Sequence, residues 1–291
     1  MLSTNNAEQE HHSENDDLSI REIDRLFATA IREALSHRWD DLDVRCLPVV
    51  DSTNLEARRL LSVENKGYLV AASAQTAGRG RRGRTFYSPG DRCGLYFSLA
   101  LPWSYEAQPT QVTTMAAVAV CRALETLYGM APKIKWVNDI FLQGRKVSGI
   151  LTEGWIRPET QSIDALIVGV GINLVSPKAG YPQEIADTAG ALADSISNQM
   201  TKLIDPNELC AVIINALGDI INELPSRTYM EDYRRRCFIL GKKVLLDDGR
   251  VVTPSTVTDD GALVVYENGR YEKLSTGEIQ IDMHDDELLV E

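Results

Sequence analysis

The sequence contains no long apolar run and few of the residues that form metal clusters or disulfides. No stretch of about 18 apolar residues occurs, so we expect no membrane-spanning helix, and the N-terminus lacks the basic-then-apolar pattern of a secretory signal. The four histidines and five cysteines form no metal-ligand pattern, and the cysteines, odd in number, are never spaced C-x-x-C. These absences predict a cytoplasmic protein whose thiols stay reduced.

Basic residues are absent from both ends of the chain. Of the 42 acidic residues, five lie in 1–17 and five in 282–291, so 32 acidic residues stand beside 30 basic ones over 18–281. The net charge of −12 therefore belongs to the ends, and the part between them is nearly neutral. We expect a disordered acidic tail at 1–17 and a second acidic tail at 283–291.

Apolar periodicity predicts alternating helices and strands over most of the chain. Helices are expected over 18–36, 111–128, 207–223 and 227–236, and one more opens at Asp51-Ser-Thr-Asn54, where Thr53 and Glu56 form a capping-box pattern. Strands are expected over 44–50, 68–74, 95–101, 133–136 and 163–174, with a hairpin of 140–142 and 146–153 around Gln143-Gly144.

The pattern changes after Leu240 to short strands separated by turn dipeptides. The strands are expected over 243–246, 251–257, 262–266, 270–274 and 279–281, and Asp248-Gly249, Asp260-Gly261 and Asn268-Gly269 are strong hairpin signals. We therefore expect a large domain over 18–237, with the helix 18–36 as an N-terminal extension, and a small all-β domain over 238–282.

A loop of alternating glycine and arginine, Gly78-Arg-Gly-Arg-Arg-Gly-Arg84, follows the predicted strand 68–74. Its glycines match G-x-G-x-x-G, but a dinucleotide-binding turn needs a helix next, and Pro89-Gly90 indicates a turn instead. Without a helix N-terminus, the positive charge that holds a phosphate must come from the guanidinium groups. A solvated basic loop is the plain alternative, but glycine and arginine together favour a loop that a negatively charged ligand orders.

Four segments together resemble biotin protein ligases, the enzymes that attach biotin to a lysine of carboxylase carrier domains. The segments are Asp51-Ser-Thr-Asn54, Gln75–Arg84, Lys135-Trp-Val-Asn-Asp139 with Arg145-Lys-Val-Ser-Gly-Ile-Leu151, and Gly169-Val-Gly-Ile-Asn173. The resemblance runs from about 44 to 281. It implies an α+β fold, with a class II synthetase-like mixed sheet flanked by helices and then a small SH3-like β-barrel. It also implies formation of biotinoyl-5′-AMP from biotin and Mg²⁺-ATP, followed by transfer of biotin to the carrier lysine.

The resemblance also implies roles for individual residues. Lys146, Arg79 and Asp139 are the expected catalytic residues, with Mg²⁺ near Asp139. Biotin contacts are expected from Ser52, Thr53, Asn54, Gln75, Gly78, Arg79, Lys146 and Gly149. Nucleotide contacts are expected from Arg81, Arg82, Arg84, Phe86, Lys135, Asn138 and Asn173. The chain departs from the family pattern at Val137, where proline is usual, and at Phe86, where tryptophan is frequent.

Structural explanations for the same residues remain open at this point. Ser52, Thr53 and Asn54 could serve the helix start alone, as capping residues. Lys146 could be a strand-edge residue without a catalytic role. Gly169 and Gly171 fit close strand packing as well as the approach of a ligand. A ligase for lipoate and a non-catalytic biotin sensor are the two functional alternatives. The 51 residues before Ser52 offer one clear helix, too little for a winged helix-turn-helix, so we expect no nucleic-acid binding. Edge strands could pair two copies as a homodimer or dock the carrier.

Overall fold

The structure, a computed structural model, describes residues 26–90, 92–103, 107–156, 162–196, 204–267, 269–275, 277 and 279–280. Both expected acidic tails lie outside the described residues, as do positions 18–25 of the first predicted helix. All five cysteines are described, and each is a free thiol. No helix in these ranges is long and apolar enough to cross a membrane.

Seven strands form one large mixed sheet. They are β1 (Asp43–Leu47), β2 (Tyr68–Ala72), β3 (Gly94–Pro102), β4 (Lys133–Lys135), β5 (Asp139–Leu142), β6 (Arg145–Ile156) and β7 (Ile163–Asn173), in the order β1-β2-β3-β7-β6-β5-β4. β1 and β2 run parallel, and the other neighbours are antiparallel. The predicted mixed sheet is confirmed.

Within the described residues, five α-helices flank this sheet: α1 (Ala28–Ala34), α2 (Thr53–Val63), α3 (Pro109–Tyr128), α4 (Pro206–Asn222) and α5 (Tyr229–Arg236). Successive side chains of β2 point to opposite faces of the sheet. Leu69 belongs to the main apolar core with α3 and α4, whereas Val70 packs with Ala57 and Leu61 of α2. The sheet is thus covered by helices on both faces, and α2 begins on the face opposite α3.

Some helices and strands are shorter in the structure than the sequence predicts. The described part of the helix expected over 18–36 begins at Ala28 and ends at Ala34. β1 ends at Leu47, because Val50 forms only an isolated bridge to Gln75. The long helix α3 is confirmed, including its end at Gly129, which has a φ of 64° and closes the helix in the left-handed conformation.

Five short strands near the C-terminus form a second sheet, β8 (Val244–Leu246), β9 (Val251–Val257), β10 (Leu263–Glu267), β11 (Arg270–Leu274) and β12 (Ile279–Gln280). The turns at Asp248-Gly249 and Asp260-Gly261 are confirmed, with φ of 87° and 84° at the glycines. The strand order is β11-β10-β9-β8-β12, and within the described residues the two outer strands do not pair. This sheet is therefore open, and the expected barrel is not confirmed.

The second sheet packs directly on the first. Its buried side chains Leu263 and Ile279 belong to the same apolar cluster as the main core. Trp136, which follows β4, donates its indole N–H to the Gly261 carbonyl at 2.9 Å. The two sheets meet beside the Lys135–Asp139 segment, where the sequence predicts part of the site.

Candidate active site

A cleft of about 900 Å³, counted with the solvent space at its mouth, lies between the start of α2, the loop after β2 and the glycine-containing parts of β6 and β7. Its described lining residues are Ser52, Thr53, Asn54, Gln75, Arg79, Gly80, Arg81, Arg82, Arg84, Thr85, Phe86, Lys135, Trp136, Asn138, Asp139, Lys146, Gly149, Ile150, Leu151, Gly169, Val170, Gly171, Gly277 and Ile279. Six of these side chains are cationic and one is a carboxylate. Such a charge distribution attracts anions.

Small polar side chains form one end of the cleft. Ser52 is the N-cap residue of α2, but its side chain makes no capping hydrogen bond. Gln75 supplies the cap instead, because its Oε1 accepts the Thr53 backbone N–H at 2.9 Å. The Thr53 hydroxyl accepts a hydrogen bond from Ser98 at 2.7 Å. The predicted capping box of Thr53 and Glu56 is therefore wrong, and the buried Ser52 hydroxyl, with no partner among the described residues, is available to a ligand.

Asp51 adds a negative charge beside this end of the cleft. Its carboxylate accepts the Ser52 backbone N–H at 2.7 Å. A hydrogen bond from the Arg59 guanidinium is the largest cause that holds the pKa of Asp51 below its ordinary value. The group is consequently ionised at neutral pH, where it favours the N-terminus of α2.

Glycines let two side chains approach the backbone of the sheet closely. Gly149 in β6 stands opposite Gly171 in β7, and the Phe86 ring covers both. A Cβ atom at Gly171 would come 2.5 Å from this ring, and one at Gly149 would come 3.0 Å from it. A Cβ atom at Gly169 would come 2.1 Å from Asn54 Oδ1. Close packing against these side chains therefore accounts for the glycines.

The arginine loop is a short hairpin. Arg79 bridges Thr85, the Gly80 N–H donates to the Arg84 carbonyl at 2.7 Å, and the loop turns through the 3₁₀ segment Arg81–Gly83. Arg82 and Gly83 have φ of 55° and 77°, which glycine adopts readily and arginine rarely. Side chains on such a hairpin diverge to both sides, so the arginines reach different parts of the molecule.

The loop arginines contact three separate structural elements. Arg79 forms an ion pair with Glu153 of β6, with Nη1 3.2 Å from Oε1. Arg81 donates to Asn138 Oδ1 at 3.1 Å and to the Gly277 carbonyl at 3.3 Å. Arg82 pairs with Asp247, which follows β8. The loop is thereby joined to the large sheet, to the segment before β5 and to the C-terminal sheet.

Lys146 and Asp139 form an ion pair in the cleft. Lys146 Nζ lies 2.7 Å from Asp139 Oδ1, and both side chains are partly exposed. β5 and β6 bring them together, because a bulge between Ile140 and Phe141 shifts the register of the hairpin. Asn138, next to this pair, donates to the Ile150 carbonyl at 3.0 Å and so fixes the turn. The arrangement holds an ammonium and a carboxylate beside the loop arginines.

Two expected site residues lie outside the described lining. Gly78 is buried at the base of the loop, where a Cβ atom would come 2.4 Å from the Phe86 carbonyl oxygen. Asn173, at the end of β7, donates its side-chain N–H to the Gly190 carbonyl at 2.9 Å. Both residues support the backbone around the cleft.

Comparison with known proteins places this architecture in a family. The model of the biotin/lipoate A/B protein ligase family matches residues 46–173. The biotin–[acetyl-CoA-carboxylase] ligase of Paracoccus denitrificans is 31% identical over 225 residues, covering 74% of this chain and 90% of that protein. The chain belongs to the biotin/lipoate A/B protein ligase family.

Other members of the biotin/lipoate ligase family match parts of the chain to different extents. The bifunctional ligase/repressor BirA of Bacillus spizizenii is 36% identical over 156 residues, which span 53% of this chain and about half, 47%, of that relative. Among solved structures, the biotin protein ligase of Aquifex aeolicus in complex with biotin and ATP superposes with a TM-score of 0.66. The two chains are 26% identical, and the match covers 82% of this chain and 97% of the Aquifex aeolicus chain.

Several cleft residues of this biotin/lipoate ligase family member are missing from the sequence-based prediction. Leu151, Gly277 and Ile279 line the cleft, and Glu153 stands at its rim beside Arg79. Glu153 follows Leu151 in the same predicted strand, so strand alternation alone could have placed it on the cleft face. Ile279 lies in β12 and Gly277 just before it. No local sequence pattern predicts a contact between these residues and cleft residues that are more than 100 positions earlier in the chain.

Proposed function

We propose that this protein is an ATP-dependent biotin protein ligase. Biotin and ATP would form biotinoyl-5′-AMP, and the biotin would then pass to a lysine of a carboxylase carrier domain. The observation that carries the proposal is the Lys146–Asp139 pair, which lies in a cleft with small hydroxyl and amide groups at one end and arginines at the other. This arrangement suits one ligand with a neutral polar head and a second ligand with phosphates.

The neutral end of the cleft suits the ureido ring of biotin. That ring both donates and accepts hydrogen bonds, and hydroxyl and amide groups can do the same. Ser52, Thr53, Asn54 and Gln75 surround this end, and the Ser52 hydroxyl is the group available for a new hydrogen bond. The carboxylate of biotin would point along the cleft toward Lys146.

The first step joins two anions, which repel each other unless cations hold them. A biotin carboxylate oxygen attacks the α-phosphorus of ATP, the bond from that phosphorus to the β-phosphate oxygen breaks, and pyrophosphate leaves. The Lys146 ammonium would lie between carboxylate and phosphate and stabilise the charge of the transition state. Arg79, Arg81 and Arg84 would orient phosphate and acyl oxygens, because a guanidinium matches two oxygens at once.

Asp139 fits a magnesium ion that enters with the triphosphate. Mg²⁺ prefers oxygen ligands and commonly uses one or two carboxylates together with substrate phosphates. Asp139 is the one carboxylate among the described lining residues of the cleft, and Asn138 adds an amide oxygen beside it. When bound, the ion would neutralise phosphate charge. We assign Phe86, Lys135, Arg82 and Asn173 to the nucleotide side of the site, and Gly78 and Gly149 to the biotin side.

The second step needs no nucleophile from this chain. The amine of the carrier lysine attacks the acyl carbon of the adenylate, AMP leaves, and the amine loses a proton to solvent. Closure of the arginine loop would exclude water until the carrier arrives. Of the two edge strands, β1 is the candidate surface for the carrier or for a second copy, because Ile134 of β4 already accepts the Phe238 backbone N–H at 3.2 Å. The chain would consist of two domains, 18–237 with a class II synthetase-like fold and 238–282 with an SH3-like fold.

Pyrophosphate release with purified protein tests this function against its two alternatives. We expect release that requires both biotin and Mg²⁺-ATP and is not supported by lipoate. Release with lipoate but not with biotin would assign the protein to lipoate attachment, for which a long apolar slot would be needed instead of the hydroxyl cluster. Biotin binding without any release would indicate a sensor.

A further inference from the structure

We propose that Glu153 is a positioning residue that anchors the arginine loop to the large sheet through Arg79. Its consequence for turnover rests on the function proposed above, whereas the anchor itself is a property of the fold. Neither composition nor motif spacing points to this carboxylate, which lies two residues after Leu151 in β6. The proposal depends on where that strand places it and on which side chains surround it.

Strand alternation puts Glu153 on the cleft face of β6. Leu151 and Gly149, two and four residues earlier, line the cleft, and side chains two apart in a strand share a face. Thr152, between Leu151 and Glu153, points the other way and accepts a hydrogen bond from Thr113 of α3 at 2.8 Å. The Glu153 side chain is 17% exposed, so it is a largely covered carboxylate at the rim of the cleft.

Three side chains from two other elements surround this carboxylate. Arg79 Nη1 lies 3.2 Å from Oε1, Asn54 Nδ2 donates to Oε2 at 2.8 Å, and Arg58 Nη2 lies 3.7 Å from Oε1. A covered carboxylate needs such compensation, because burial without partners disfavours its charge. Glu153 therefore links the arginine loop, the start of α2 and β6 at one point.

Asn54 holds Glu153 in place. Its amide lies against Gly169, where no Cβ atom would fit, and its Oδ1 accepts the Ser98 hydroxyl at 2.6 Å. Its Nδ2 also lies 3.3 Å from the Leu151 carbonyl. With both ends of its amide occupied, Asn54 holds the Oε2 atom of Glu153, and the other oxygen, Oε1, meets Arg79.

Fixing Arg79 fixes the whole hairpin. Arg79 bridges Thr85, and the Phe86 N–H donates to the Gly78 carbonyl at 3.0 Å, so the two branches of the loop move together. Arg81, at the turn, depends on this base for its approach to Asn138. Loss of the Glu153 charge would then loosen the loop over the cleft without touching either proposed ligand.

Hydrogen exchange of the loop amides tests the anchor without any ligand. In Glu153→Gln, which keeps the shape and an acceptor for Asn54, we expect the protected amides of Gly80 and Phe86 to exchange about two to five times faster, the range for a partly exposed ion pair. Arg58→Gln removes the other guanidinium near Glu153 and is the matched control, with unchanged loop exchange. Unchanged exchange in Glu153→Gln would overturn the anchor.

A double-mutant cycle tests whether Glu153 acts through Arg79. Glu153→Gln is expected to raise the KM for biotin in pyrophosphate release about twofold to fivefold with a smaller change in kcat, Arg79→Gln is expected to lower kcat as well, and the double variant is expected to equal Arg79→Gln alone. Additive effects would refute action through Arg79. Should Glu153→Gln fail to fold in a thermal melt, Arg79→Gln carries the same exchange comparison from the other partner.

The two measurements separate the anchor from the function. If the unchanged protein releases no pyrophosphate with biotin while exchange still rises in Glu153→Gln, the proposed function fails and the anchor stands. If pyrophosphate release is normal and the loop amides exchange at the same rate in both proteins, the function stands and the anchor is wrong.

Discussion

Lys146 is the residue on which the proposed chemistry depends most. Its ammonium lies 2.7 Å from Asp139 Oδ1 and about a third of its side chain is exposed, so an incoming anion can reach it. The sequence left two interpretations of this lysine, a strand-edge residue or a catalyst. Its position at the centre of a cleft lined by four loop arginines favours the catalyst.

Replacing Lys146 by alanine should remove most of the activity. We expect biotin-dependent pyrophosphate release to fall about 10²- to 10³-fold, the loss typical of deleting one preorganised charge from a transition state. Lys133→Ala, an exposed lysine of β4 outside the cleft lining, is the control and should keep full activity. Turnover within a factor of a few of the unchanged protein would remove Lys146 from the mechanism.

The seat of Phe86 on Gly149 and Gly171 gives a second prediction at the residue scale. Gly171→Ala would place a Cβ atom 2.5 Å from the ring, so the ring must move, and overpacking of this kind costs about 1–3 kcal/mol. We expect a KM for ATP or biotin raised about tenfold or more. Gly154→Ala, also in the large sheet, meets no atom closer than 3.4 Å and serves as the control. Equal kinetics for the two variants would show that the Phe86 position is irrelevant to binding.

Single residues were predictable where a motif carries its own chemistry. The arginines stand in a segment whose residue types already suit phosphate, whereas Lys146 and Asp139 were assigned from the resemblance to biotin protein ligases, and the structure brings all of them to one cleft. Ser98 was not predictable, because it is an ordinary strand residue until its partners in α2 are known, and strand alternation places Glu153 on the cleft face without identifying Arg79 as its partner. The helix cap from Gln75, 22 residues from Thr53, was missed for the same reason.

At the scale of elements, the hairpin between β8 and β9 meets the tip of the arginine loop. Asp247 pairs with Arg82, and the hydrogen bond from that guanidinium is the main reason why the pKa of Asp247 lies below its ordinary value. The next residue, Asp248, pairs instead with Arg250 inside the same sheet. The two adjacent carboxylates thus form ion pairs with different arginines, one in the arginine loop and one in the C-terminal sheet.

This difference makes a matched pair of variants. Asp247→Asn should raise the KM for ATP about twofold to fivefold, because exposed ion pairs contribute modestly, and the effect should shrink at high salt. Asp248→Asn should leave the KM unchanged. Equal effects from both substitutions, or an Asp247→Asn effect that does not depend on salt, would mean that the C-terminal sheet does not position the loop.

Elements with local signals were predicted well, and those fixed by distant contacts were not. The Asp-Gly turns of the second sheet are confirmed because glycine alone determines the turn conformation at those positions. The ends of β1 and α1 were misplaced, because apolar residues continue in the sequence after the pairing strand or packing helix has ended. Whether the five-stranded sheet closes depends on whether β11 pairs with β12, and no local sequence pattern predicts that pairing.

At the scale of the whole molecule, one apolar core encloses most of the thiols. Cys93, Cys121, Cys210 and Cys237 are buried, and Cys46 is half-buried on β1. Burial raises the pKa of Cys46 from about 9 to about 11, and desolvation is also the largest cause that raises the pKa of Cys121 and Cys237 to about 12. The thiolate is the reactive form, so these cysteines should be inert at neutral pH.

Alkylation of the native protein tests this expectation. At pH 8 a pKa raised by two units leaves about a hundredth of the usual thiolate, so iodoacetamide should label Cys46 slowly. Labelling should accelerate as the pH rises toward 11, whereas denatured protein should react at all five cysteines near pH 8. Rapid labelling of any one thiol in the native protein at pH 8 would contradict the packing described for it.

The central claim is tested most directly by intact mass spectrometry of a carboxylase carrier domain incubated with this protein, biotin and Mg²⁺-ATP. We predict that the carrier gains the mass of one biotinyl group on a single lysine, only when both small molecules are present, and that Lys146→Ala prevents the gain. An unchanged carrier mass in the complete mixture, with pyrophosphate release also absent, would contradict the assignment of this cleft to biotin transfer.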